Sequence, residues 1–500
     1  MDLEKKLHNI IEDECNKLIK RFQNYHNKLH ADHERNKKRI TFPPKKQIKK
    51  PDYWERDKKF NPFYVKRRIK AITRSIVKKI TSSTYKPFPP CIKEIPKIGG
   101  GTRKIAVYQI PDASVSKLFY RLLLSKNKHR FSSFSYAYRD DRNVHFAIQD
   151  IFLDIYKEPR TFVAEFDFSD FFGSISHNYL FDQFERNGFA INDVEKSIIK
   201  SFLSEGDKGI PQGTSISLFL ANLACWELDK NLEREGLRFA RYADDTIIWS
   251  KDYGQICLAY KIVNDFSEKV GVKINLKKSD GISLLLLKGS PVELNNFKES
   301  IDFLGYSISP NCISIRSKAI QKMKRQISYL LYRNLIQPLN KDELRAVTIP
   351  ANNNDEHFLT AIMQIRRYMY GGMKEIQLIR YINGQSKRIY FKGVMSFYPL
   401  VSNIEQLQKL DGWLIATIYR SLSLRSKLLE KWNYDRSYEF PFNCPQSDLV
   451  RECKSKRIYK KNLLTIPSFT LIQKALEKGV KERGLVSVMN PKSNQYDYQE

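Results

Sequence analysis

Residues 239–249 constrain this chain more than any other stretch. Phe239, Ala240, Arg241 and Tyr242 lead into Ala243, Asp244 and Asp245, and Thr246, Ile247, Ile248 and Trp249 follow. β-Branched and aromatic residues on both sides of a short polar break predict strand, tight turn and strand, with the two aspartates at the tip. Side-by-side carboxylates are costly to bury unless a cation sits against them, and a divalent metal suits such oxygen ligands. One Asp-Asp pair cannot complete two octahedral cages, so a third carboxylate is expected from elsewhere.

Upstream, the apolar run Phe162 to Phe166 reads as a buried strand carrying Asp167 where the chain leaves the sheet. Asp167, Asp244 and Asp245 together supply the carboxylates that two-metal nucleotidyl transfer needs, one ion activating a primer hydroxyl and the other holding the triphosphate.

Tyr242-Ala243-Asp244-Asp245 matches the catalytic motif of reverse transcriptases letter for letter, and its companions fall in that family's order. The resemblance covers residues 92–335 and implies an α+β right-hand polymerase: fingers, a palm with an antiparallel sheet, and a helical thumb, with helical N- and C-terminal extensions. The expected parts are a basic N-terminal extension over 1–90, fingers over 91–160, palm over 161–310, thumb over 311–440, and a basic C-terminal region with a tail over 441–500. Asp167, Phe168, Asp244 and Asp245 are implied as the metal set, with two magnesium ions, or manganese in their place.

Around the implied nucleotide, the segment from Ile95 to Ile105 reads as two strands joined by a glycine turn, and it lacks the Gly-Lys-Ser/Thr ending of a phosphate loop. In the family this hairpin folds over the triphosphate, with Arg103 at the matching position and Lys97 or Lys104 assisting. Phe172, five residues after Asp167, falls at the sugar gate that collides with a ribose 2′-hydroxyl. Asp170, Phe171 and Phe172 offer backbone amides to the triphosphate. Gln212 and Gly213 lie in the family's Pro-Gln-Gly block, where glycine permits close backbone approach to a base pair. Lys278 aligns, by its place after Asn275, with the family lysine near the leaving phosphates. Phe303, Leu304, Gly305 and Tyr306 match the hairpin that grips the primer. Ser135 to Arg142 resembles a further block in which Ala137 and Tyr138 replace Gly and Phe, and its Arg139 and Arg142 are expected on the RNA template.

Charge agrees with such partners. The 500 residues carry 86 Lys and Arg against 55 acidic residues, a net charge of +31, which points to nucleic acid. The seven cysteines are scattered without a Cys-x-x-Cys pair, so neither a disulfide framework nor a zinc site is expected. No apolar run reaches bilayer length and the chain opens on a charged helix, so a bacterial cytoplasmic protein that does not meet a membrane is expected. Residues 3–30 predict an amphipathic helix whose Ile11, Cys15, Leu18, Phe22, Tyr25 and Leu29 repeat at heptad spacing, fitting either a homo-oligomer or packing on the chain's own body. Val65, Ile69, Ile72, Ile76 and Ile80 predict a second helix, with Lys66, Arg67 and Arg68 on a face suited to RNA phosphates.

The resemblance implies an RNA template, deoxynucleoside triphosphates and a DNA product. The long basic N-terminal extension better resembles stand-alone bacterial enzymes of antiphage defence, which act with a neighbouring structured non-coding RNA. Group II intron and retron enzymes, or an RNA-binding scaffold without DNA synthesis, are the alternatives. Some defence relatives start DNA on a protein hydroxyl, and Tyr496 and Tyr498 are candidates for that primer.

Overall fold

The computed structural model describes residues 3–39, 45–96, 102–203, 206–276, 279, 281–292, 294–340, 355–386, 388–458 and 460–494. Helix α1 (Leu3–Arg39) lies on the body of the protein, because Leu7, Ile10, Ile11 and Cys15 recur at helical steps and all four are buried. The first half of the heptad seam is therefore spent inside the chain. Further along, Phe22 meets Trp54 and Phe63 at ring separations of 5.3 and 6.1 Å. The helix α2 (Tyr53–Arg56) is followed by α3 (Pro62–Arg67) and α4 (Ile69–Thr81). The single helix expected from Val65 to Ile80 is thus two, broken at Arg68 with φ −108° and ψ 15°. Asn61 and Pro62 start the first piece, Asn61 accepting the Phe63 N–H.

Strands β1 (Cys91–Pro96) and β2 (Thr102–Val107) pair antiparallel from Cys91↔Val107 to Pro96↔Thr102. They lead to α5 (Ile110–Asn127) and to α6 (Val144–Ile155), which Asn143 caps by accepting from His145 and Phe146 N–H. Then come β3 (Arg160–Phe166), β4 (Phe168–Ser169), α7 (Phe171–Ser174), α8 (His177–Arg186), α9 (Asp193–Phe202), α10 (Ser215–Ala224) and α11 (Trp226–Arg234). Next are β5 (Arg238–Tyr242), β6 (Asp245–Ser250), α12 (Tyr253–Val270), β7 (Lys273–Ile274), β8 (Gly281–Leu286) and β9 (Phe297–Lys298). A separate antiparallel sheet, β10 (Ile301–Phe303), β11 (Tyr306–Ile308) and β12 (Ile313–Ile315), precedes helices α13 (Ser317–Leu331), α14 (Glu356–Tyr370), α15 (Glu375–Ile382), α16 (Ile404–Lys431), α17 (Leu449–Ser455) and α18 (Phe469–Arg483).

The central sheet has the order β5-β6-β3-β8-β9, antiparallel except for the β8–β9 pair. Strand alternation sends its side chains to two cores. Ala164, Phe166, Phe239 and Ile248 join the core built with α1, α5, α10 and α12. Val163, Ala240, Ile247 and Trp249 join the one built with α6, β10–β12 and the C-terminal helices. Both faces of the strands are therefore apolar, as buried strands require, and the layout is the α+β right hand, with the β1–β2 hairpin and the helices after β12 flanking a sheet-bearing palm. In the stretch beyond residue 441, Leu449, Cys453, Phe469, Ile472 and Leu476 are buried in the same core as residues of α13, α14 and α16. Among the described residues no helix is long and apolar enough to cross a membrane.

Candidate active site at the Asp244–Asp245 hairpin

Tyr242↔Asp245 is the last pair between β5 and β6, so Ala243 and Asp244 alone form the loop. Such two-residue loops need a positive φ, and Ala243 supplies it at 63°. A non-glycine residue there is strained and must be held. Arg241 holds it, donating from Nη1 to the Ala243 carbonyl at 2.9 Å. The same guanidinium, fully buried, makes paired 2.6 Å bonds to both oxygens of Asp229 on α11 and reaches Asn222 on α10 at 3.2 Å and Ser135 Oγ at 2.7 Å. Burial opposes its charge, but Asp229 beside it wins and keeps the guanidinium above its ordinary value. The pair lies outside the motifs that mark the site, although the sequence carries a signal for it. An arginine between Ala240 and Tyr242 of a buried strand needs an acid, and Asp229 sits beside the apolar Leu228 on α11.

Strand β3 reaches the site from the other side. Its last pair with β6 is Phe166↔Thr246, so one further step places Asp167 across from Asp245, where opposed side chains lie about 4.5–5.5 Å apart at Cβ. Asn275 fixes Asp167: its Nδ2 donates to Oδ2 at 2.9 Å and its backbone N–H donates to the Asp167 carbonyl at 2.8 Å. Ser279 Oγ accepts the Asp167 N–H at 3.2 Å. Asp245 is exposed. Protein packed around its carboxyl, and then the charges of Asp244, Asp167 and Glu165, push it up to about 7, with Arg316 pulling the other way.

Several of the residues expected around the nucleotide are described. Asp170 takes a left-handed φ of 44°, and its carboxylate covers Gly173, where a Cβ would collide with it. Phe171 and Phe172 are both buried and meet edge to face at 5.7 Å. Phe172 is tied to the next block by the Ile210 N–H, which donates to its carbonyl at 2.7 Å. Gly213, at φ 121°, lies so close to the Ala106 carbonyl that any Cβ would clash, while the Gln212 carbonyl accepts the Ala106 N–H at 2.7 Å. The close approach seen here is to strand β2. Arg103 and Lys104 are exposed on β2, whereas Lys97, Lys278, Tyr496 and Tyr498 lie outside the described residues.

In the hairpin expected to grip the primer, Phe303 and Tyr306 are core residues, and the Tyr306 hydroxyl lies 3.0 Å from His145 Nδ1. The tip is Leu304 at φ 49° and Gly305 at φ 87°, both partly exposed. Arg139 is held by Asp141 through 2.9 and 2.8 Å bonds, with its side chain 5% exposed. Arg142 is half-buried. Lys66, Arg67 and Arg68 are exposed, and Lys66 donates to Asn16 of α1 at 2.7 Å.

The three aspartates repel one another, and among the described residues no group of three or more His, Cys, Asp or Glu side chains is gathered as a ready metal site. The donor set nevertheless suits a hard divalent cation: oxygen ligands only, opposed on two adjacent strands, and an Asp245 carboxyl whose charge is disfavoured by its acidic neighbours.

Residues 95–308 match the family profile described as "Reverse transcriptase (RNA-dependent DNA polymerase)", a span that includes Asp167, Asp244 and Asp245. Protein YkfC of Escherichia coli is 27% identical over 172 residues, covering 32% of this chain and 44% of that protein. The Retron Ec86 reverse transcriptase of Escherichia coli is 30% identical over 122 residues, 24% of this chain and 37% of that protein. The chain thus spans less than half the length of these curated relatives. Among solved structures, telomerase from Candida albicans with a TWJ fragment of telomeric RNA is similar at 13% identity and a TM-score of 0.36, covering 79% of this chain and 69% of that one.

Proposed function

We propose, from the premise that residues 95–308 are a reverse transcriptase domain, that this chain copies RNA into DNA. The observation that carries the reading is the β3–β6 register, which brings Asp167 opposite Asp245 at the end of the palm sheet. Asp167, Asp244 and Asp245, with Phe168 beside them, would hold two divalent cations. When bound, these supply Lewis-acid activation of the primer hydroxyl and neutralisation of the pyrophosphate leaving group. Asn275 keeps the Asp167 carboxylate in one orientation, and Arg241 keeps the strained hairpin in register. Arg103, with Lys97 and Lys278, offers positive charge to the triphosphate. Phe172 packs under the sugar and excludes a 2′-hydroxyl, and Leu304 and Gly305 carry the primer strand. The test is deoxynucleotide incorporation on a primed RNA template. Asp244→Asn with Asp245→Asn should abolish it while leaving the melting temperature unreduced, and full synthesis by that variant would overturn the reading.

The finer reading is antiviral: the chain copies a neighbouring structured non-coding RNA. The exposed cations Arg67, Arg68 and Lys70 support RNA contact. The mobile-element reading draws on the similarity to a protein named as a retron reverse transcriptase. Sequencing the RNA and DNA that copurify with the protein, beside phage plating with and without Asp244→Asn, separates the two. Protein-linked product that loses its link on Tyr496→Phe or Tyr498→Phe would identify a protein primer.

A further inference from the structure

Helices α1 and α5 and the segment Tyr136–Asn143 enclose a cavity of about 400 Å³ beside the hairpin, with Tyr242 and Ser215 in its wall. Lys17 of α1, Lys117 and Arg121 of α5, Arg139 and Arg142 line it, and no carboxylate does. Glu14 and Asp141 pair with Lys117 and Arg139 without forming part of the lining. The Nε of Arg142 is buried with no acceptor among the described residues. Between the cations stand the rings of Tyr120, Tyr136, Tyr138 and Tyr242. The wall is also strained: Tyr138 takes φ 59°, held by the Tyr120 hydroxyl donating to its carbonyl at 2.9 Å and by Asn222 Nδ2 donating to the Ala137 carbonyl at 2.8 Å.

Cations alone would suit any phosphate. Cations interleaved with aromatic faces suit a single strand, whose phosphates meet the charges while an unstacked base lies on a ring. The cavity is too small for a base-paired duplex. We propose that it binds an unpaired nucleotide of the RNA strand being copied, so that α1, which lies outside the matched residues 95–308, is part of the nucleic-acid site. This rests on the polymerase reading above for the identity of the strand. It does not rest on that reading for the binding itself.

The test uses the full chain with Asp244→Asn and Asp245→Asn, in EDTA, titrated with labelled oligouridylate and with an RNA duplex of equal length. Adding Lys17→Ala and Arg121→Ala, both exposed positions, should weaken single-strand binding about tenfold. The same change should lower the log–log salt slope by about 0.7 for each phosphate that is no longer neutralised, leave duplex binding unchanged, and be partly rescued by Lys17→Arg. Unshifted single-strand affinity at an unchanged melting temperature overturns the proposal, as does an equal weakening for duplex. Should the double variant melt lower, Arg121→Ala alone is read by the same criteria. In the otherwise unsubstituted chain, 4-thiouridine just ahead of the primer terminus should crosslink to α1 or α5. Crosslinking confined to RNA that is not being copied overturns the assignment. Synthesis by the unsubstituted chain with unshifted binding in the variant sinks the cavity alone, whereas absence of synthesis sinks the function.

Discussion

At the scale of single residues, the hairpin depends on a charge that never meets solvent. Arg241 ties a strained Ala243 to two helices and to Ser135, and Asp229 neutralises it. Removing one partner strands a buried charge, so Asp229→Asn is expected to cost about 3–5 kcal/mol and to lower nucleotide incorporation. The paired change Asp229→Leu with Arg241→Met should lose much less stability, and urea titrations of these two variants beside the unsubstituted chain check this. His145 gives a separate pH signature. Burial holds its imidazole down at about 4 against an ordinary 6.5, with Tyr306 Oη 3.0 Å from Nδ1 and Ser493 Oγ 3.4 Å from Nε2. Because the folded value is depressed, unfolding takes up a proton once the pH falls below 6.5. The stabilisation, on the order of 3 kcal/mol at most, is therefore complete above that pH and drains away as the pH drops toward about 4. Urea midpoints across this window should fall less steeply in His145→Gln.

Among elements, α18 shows how the C-terminal segment is fastened. Asp411 of α16 accepts from Ser468 Oγ at 2.7 Å, from the Phe469 N–H at 2.5 Å and from the Thr470 N–H at 3.2 Å, covering donors that an isolated helix start leaves unmatched. Ser468 adds its own cap to the Leu471 N–H at 3.1 Å. Asp411→Ala should cost about 1–2 kcal/mol and speed hydrogen exchange in the first turn of α18 before it affects the palm strands. Exchange rising first at β3 or β6 would contradict this order of fastening. Helix α1 is held likewise by several elements: Glu14 pairs with Lys117 of α5, Lys66 bonds Asn16, and Asp32 near its far end pairs with Arg333 just past α13. A helix tied to α3, to α5 and to the segment after α13 is held firmly enough for the role assigned to Lys17.

For the molecule as a whole, the palm sheet is the shared wall of two cores, Phe166 and Ile248 facing one and Ile247 and Trp249 the other. Neither core keeps its wall if the other melts, so calorimetry should show one main transition. A well-separated early transition confined to α16–α18 would refute that coupling. The sequence by itself determined what acts over a few residues: the β5–β6 hairpin, the emergence of Asp167 from an apolar strand, the tip at Leu304 and Gly305, and the basic surface. Strand period, turn chemistry and charge are local properties, so they survive being read without coordinates. Only the tertiary structure decided that Asn275, 108 positions from Asp167, orients it, that Asp229 among 55 acidic residues answers Arg241, and that α1 and α18 are walls of the body. Those choices close long loops between groups with many equivalent candidates, and packing, which selects one partner by shape and burial, is not written in any short stretch of chain.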